Sequence, residues 1–165
     1  MRYLDITPAI VNKTAIYNII KDTVKNIPES KDRLLTVGKS FHFNEDFPSG
    51  IPRIMKIALK APKLFIYIRR IVSFFLPKDD RKIFFFDPLY LLFYRPLTDA
   101  KILVLDLTPI THSYWHDSRV ASLYSEAFRI VKQQGYHCYS ISKSTKNEMN
   151  RVYQINENLN SLLYL

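Results

Sequence analysis

The sequence predicts a doubly wound α/β domain with a mainly parallel sheet, and two observations carry that expectation. Lys101 to Thr145 reads as an apolar strand, an Asp-Leu-Thr-Pro turn, an amphipathic helix, a second strand and a Ser/Thr-rich helix start. Further strand-like apolar runs at 3–7, 34–37 and 83–86 have helical stretches between most of them. Alternating strands and helices imply right-handed crossovers in a parallel sheet. Ligands of such sheets bind in loops at the carboxyl ends of the strands.

Tyr3-Leu4-Asp5-Ile6-Thr7 reads as a short buried strand stopped by Pro8, which cannot donate to a ladder. Ile16, Ile19, Ile20, Thr23, Val24 and Ile27 then recur on one helical face, with Asn12 as N-cap and Pro28 as terminator. Leu34 to Val37 is a weak strand, and 38–52 is a Gly/Pro-punctuated loop. In the block 51–78, Pro62 divides two helices, 52–60 and 63–76. Leu64, Phe65, Ile68, Ile71, Val72, Phe75 and Leu76 share one face of the second.

Asp79-Asp80-Arg81-Lys82 reads as a solvated turn and Ile83 to Phe86 as a buried strand. The proline-bracketed 88–98 suggests a packed loop, and Ile102 to Leu107 is the strongest strand signal. A helix capped by Asp117 or Ser118 follows, with Val120, Tyr124, Ala127, Phe128 and Val131 facing the core and Gly135 at its end. His137 to Ile141 is a strand, Ser142 caps a further helix, and 152–165 offers a closing helix.

The 165 residues fit one domain, 1–165. Only 3 glycines against 9 prolines argues against a glycine-rich phosphate cradle. The net charge of +9 suggests an anionic partner. No recognisable nucleic-acid motif accompanies it, so nucleic acid is not the expected partner. Cys138 stands alone, which excludes an internal disulfide and fits a reducing compartment. MRYLDITP lacks a secretory layout, and no apolar run reaches the ~18 residues of a spanning helix. These features predict a cytoplasmic protein with room for peripheral attachment to the inner face of a membrane. Arg53, Lys56, Lys60, Lys63, Arg69 and Arg70 are the candidates for that contact, in a block without Asp or Glu. The alternative is a solvated positive face over a core-facing apolar stripe.

Asp106, at a strand end, suits a ligand hydroxyl or a turn that accepts backbone N–H groups. Thr108 suits a ligand or a loop cap, and Asp5 reads chiefly as a structural acid. His112, Trp115 and His116 cluster beside Asp117, a grouping used for general-base work or for helix capping. Ser142 to Thr145, including Ser144, open a helix whose N–H groups suit an anion or a cap.

Val104-Leu105-Asp106-Leu107-Thr108-Pro109, the helix after it, and Ile141-Ser142-Lys143-Ser144-Thr145 resemble a known pattern. It is that of the N-terminal, Rossmann-like domain of GT-B retaining glycosyltransferases of the group 1 type. Leu4-Asp5-Ile6-Thr7-Pro8 resembles their first strand and loop. Two departures stand out. Leu105 occupies the place of a His, and Val11-Asn12-Lys13-Thr14-Ala15 that of a Gly-x-Gly turn.

The resemblance implies the acceptor-side half of a polysaccharide-building enzyme, inactive alone. That enzyme transfers a sugar from a nucleotide-sugar donor to a glycan or lipid-linked acceptor. The donor belongs to a second domain or subunit, and neither cofactor nor metal is expected in this chain. Thr7, Lys13, Asp106, Thr108, His112, Trp115, His116, Ser142 and Ser144 are the implied acceptor-binding candidates. The alternative is a non-catalytic basic α/β module that binds a membrane surface or a protein partner.

Overall fold

The computed structural model describes residues 2–11, 15–26, 32–37, 39–41 and 51–164. The first strand, β1 (Arg2–Asp5), is followed by a short helix α1 (Thr7–Val11) and by α2 (Ala15–Asn26). Strands β2 (Asp32–Thr36) and β3 (Lys39–Phe41) precede the helix pair α3 (Arg53–Lys60) and α4 (Pro62–Phe75). Strand β4 (Asp79–Phe85) leads through a 3₁₀ turn, Pro88–Phe93, to β5 (Leu97–Val104). Helix α5 (Thr108–Thr111), a 3₁₀ turn at Ser113–Trp115 and the long α6 (Ser118–Gln134) connect to β6 (His137–Ser140). Helix α7 (Lys143–Tyr153) and a last 3₁₀ turn, Glu157–Leu159, bring the chain to β7 (Asn160–Leu162).

The seven described strands form one sheet in the order β3-β2-β1-β4-β5-β6-β7. All neighbours pair in parallel except β3, which runs antiparallel to β2 at one edge. The fold is therefore the doubly wound, Rossmann-like α/β architecture that the alternation of elements predicts. From β1 the chain moves to β2 on one side; from β4 it moves to β5 on the other. The switch point lies between β1 and β4, where open α/β sheets place ligand crevices.

Two cores lie on the two faces. Ile83, Phe85, Ile102, Val104 and Cys138 pack with Leu123, Ala127, Phe128 and Val131 of α6. Leu4, Ile6 and Leu34 pack with Ile16 and Ile20 of α2 on the opposite side. Burying a large apolar side chain completely contributes about 1.5–3 kcal/mol, so fully buried Phe85 and Phe128 are principal anchors of α6 on the sheet. Gly135 ends α6 at φ +66°, the left-handed conformation that favours glycine.

Several local expectations are corrected. Thr7 opens α1 instead of closing β1, because Pro8 fits the first turn of a helix. Asp79 is no solvated turn: it is buried at the start of β4, held by a two-pronged contact with Arg81 and by Arg95 at 3.7 Å. Strand β3 emerges inside the expected loop. Asn12, Ile27 and Pro28 lie outside the described residues.

The closing helix does not form. Gln154 turns left-handed at φ 51°, ends α7, and the chain returns as β7 beside β6. Buried Asn160 secures that edge. It accepts from the Ser140 hydroxyl at 2.8 Å, and its amide donates to Asn150 Oδ1 at 3.1 Å and to the Lys146 carbonyl at 3.3 Å.

Candidate functional site

Three neighbouring strands, β1, β4 and β5, each run out into an aspartate: Asp5, Asp87 and Asp106. Two of these ends share the pattern Asp-x-Thr-Pro. The Asp106 carboxylate accepts from the Thr108 N–H at 2.9 Å and the Thr108 hydroxyl at 2.6 Å. Asp5 accepts from the same two groups of Thr7. Asp87 accepts from the Leu89 N–H at 2.8 Å. Each carboxylate satisfies a donor at the start of the following helix or turn, which accounts for an acid at each strand end.

The three differ in environment. Asp5 is fully buried, and one of its oxygens has no hydrogen-bond partner. Burial pushes its carboxyl up to about 7; hydrogen bonds from Thr7 and from the Tyr94 hydroxyl oppose the rise, and Asp87 adds to it. Asp87 rises to about 6, again chiefly by burial, against hydrogen bonds from Tyr124 and Leu89. The Tyr124 hydroxyl donates to it at 2.7 Å. Asp106 is exposed.

Asp87 and Asp106 share a cleft of about 200 Å³ at the carboxyl ends of β4 and β5, together with Phe86, Leu105, Thr108, His116 and Tyr124. This cleft lies one strand from the switch point. Its wall combines two carboxylates, an imidazole, hydroxyls and apolar surface, which suits a polyhydroxylated ligand. Among the described residues no three His, Cys, Asp or Glu side chains gather to hold a metal ion.

The predicted residues divide between rim and fold. Asp106, Thr108 and His116 meet in the cleft. Ser142 caps α7 by accepting from the Thr145 N–H at 3.0 Å, and the Thr145 hydroxyl donates to the Leu105 carbonyl at 3.1 Å. The end of β6 is thus fastened beside the end of β5. Ser144 is exposed in the first turn of α7. His112 stacks on exposed Trp115, with ring centroids 4.6 Å apart, and neither lines the cleft.

Asp117 pairs with no histidine. It caps α6 through the Arg119 N–H and grips the Arg119 guanidinium, whose hydrogen bonds hold its carboxyl down at about 2. Thr7 is corrected as a ligand candidate: it is fully buried, with its hydroxyl joined to Asp5 and accepting from the Val37 N–H at 3.1 Å. Lys13 lies outside the described residues. Asp87 and the Tyr124 hydroxyl escaped the sequence reading. The Asp-Pro at the end of a predicted strand was the available signal.

The basic block is also reordered. Arg69 donates to the Leu92 carbonyl at 2.8 Å, and Arg70 grips buried Glu126 at 3.0 Å and 2.6 Å. Both therefore tie α4 to its neighbours and are corrected as membrane candidates. Arg53, Lys56, Lys60 and Lys63 are exposed.

Fold and cleft together define an open α/β protein with a small polar site on the carboxyl rim of its sheet. No family model, curated protein or solved structure matches the chain.

Proposed function

We propose that the chain is the acceptor-side half of a glycosyltransferase, and that the cleft at the ends of β4 and β5 receives a hydroxyl-rich acceptor. The supporting observation is the meeting of Asp106, Thr108 and His116 over a floor of Asp87 and Tyr124. Carboxylates accept hydrogen bonds from sugar hydroxyls, and the apolar wall covers ring C–H faces. Leu105, which stands where the resembling enzymes carry a histidine, packs in the core around Leu4 and Phe86. His116 brings an imidazole to the same cleft from the next loop. The role of these residues is to position an acceptor, a principal source of catalysis in bimolecular group transfer. Nucleotide-sugar binding is assigned to a separate donor domain or subunit.

A panel of oligosaccharides and lipid-linked sugars, probed with the labelled chain, tests the reading. Binding that falls at least ten-fold in Asp106→Ala and His116→Ala is expected. A ligand that binds both variants as well as the parent removes the cleft from the account.

A further inference from the structure

The apolar stripe of α4 faces outward. Leu64, Tyr67, Ile68, Ile71 and Phe75 are exposed, whereas Phe65, Ile66, Arg69 and Ser73 turn toward the protein. The sequence alone left open whether this stripe faces the core beneath a solvated positive face or meets a membrane surface. Ile54 and Ile57 of α3 extend the exposed surface, and Phe74 and Phe75 end it at 85% and 77% exposure. Exposed Arg53, Lys56, Lys60 and Lys63 lie on the same two helices, and residues 51–78 contain no Asp or Glu. A groove of about 600 Å³ between α4 and α6 opens beside Phe74 and contains Arg69 and Lys78.

We propose that the α3–α4 face docks on an anionic phospholipid bilayer, lying in the plane of its surface. The proposal goes beyond the acceptor reading and stands whatever ligand the cleft receives. No helix among the described residues is long and apolar enough to cross a membrane. An outward apolar stripe accompanied by exposed cations is instead the arrangement of an interfacial helix. The stripe enters the boundary between headgroups and acyl chains while the lysines meet lipid phosphates. Charge complementarity selects the anionic bilayer among possible occupants: a second copy would bring the same unpaired cations against these. Glu126 offsets only one of the two charges of Arg70 and Arg129, so the groove that also contains Lys78 remains cationic.

The test is sedimentation of the full chain with phosphatidylcholine vesicles, with and without phosphatidylglycerol, at low and high salt. Binding is expected only with phosphatidylglycerol and is expected to weaken with salt. Lys56→Glu/Lys60→Glu/Lys63→Glu is expected to weaken it roughly a hundred-fold or more, since each surface lysine supplies about a five-fold share. Phe74→Ser/Phe75→Ser is expected to weaken it roughly ten-fold or more. All five positions are exposed, so both variants are expected to keep the parent's circular dichroism and urea midpoint. Equal sedimentation with and without phosphatidylglycerol, or unchanged binding by both variants, overturns the proposal. So does a dimer in analytical ultracentrifugation that Phe74→Ser/Phe75→Ser dissolves while the parent ignores vesicles.

Discussion

Replacing Asp5 with Asn is expected to reverse sign in its effect on stability as pH rises. The carboxyl lies at about 7 in the folded chain against an ordinary 3.8, because burial disfavours its charge more than Thr7 and Tyr94 favour it. Between these values the folded state holds a proton that the unfolded state has released, so stability falls as pH rises. The stabilisation is complete below the unfolded value and lost by the folded one. Three units correspond to about 4 kcal/mol, a large part of the ~5–15 kcal/mol of a typical domain.

Asn keeps an acceptor for Thr7 and Tyr94 but places an amide where the carboxylate oxygen has no partner. The protonated carboxyl leaves one O–H unpaired there and the amide leaves two N–H donors, and the additional unpaired buried donor costs about 1–3 kcal/mol at every pH. Urea unfolding near pH 4, where most of that stabilisation is still present, is therefore expected to find Asp5→Asn less stable than the parent. Near pH 8 the variant is expected to equal or exceed it. Parallel stability curves for the two proteins across that range would refute the assignment of a buried, protonated carboxyl to Asp5.

Glu126→Ala is expected to cost about 3 kcal/mol in urea unfolding: burial raises the Glu126 carboxyl, but hydrogen bonds from Arg129 and Arg70 prevail and hold it at about 2. The partial exposure of both arginines keeps the figure at the lower end for a broken buried pair. Gly135→Ala is expected to lower stability by about 1 kcal/mol. A Cβ there meets only Leu159 Cδ1 at 3.8 Å, so the loss comes from the φ of +66° alone. Cys138 is buried in β6 and its thiol is pushed up to about 12, so it is expected to resist a thiol reagent until urea unfolds the chain. Rapid native labelling would place it elsewhere.

The order of elements was legible because each strand and helix carries its own period and punctuation. Pro62 separates α3 from α4, Asp117 caps α6 and Gly135 ends it. What escaped depends on partners distant in sequence. Residue Asn160 specifies an edge strand only through Ser140, Asn150 and Lys146. Asp79 is buried because Arg81 and Arg95 reach it.

Helix α4 shows the limit of periodicity most clearly. Its sequence offers one apolar stripe, but of that stripe only Phe65 packs, beside Ile66 and Arg69, and the rest remains outside. In the site, Asp106 and Thr108 were legible from their turn chemistry. Asp87 was not singled out, because only the adjacency of β4 and β5 brings it beside Asp106.

Backbone amide NMR of the chain, titrated with an acceptor oligosaccharide from the binding panel, tests the central claim most directly. Shifts gathered at Phe86, Asp87 and Leu89, at 105–108 and at His116, with 142–145 following through the contact of Thr145 with Leu105, are the expected result. Shifts confined to the opposite, amino-terminal ends of β4 and β5 would contradict it.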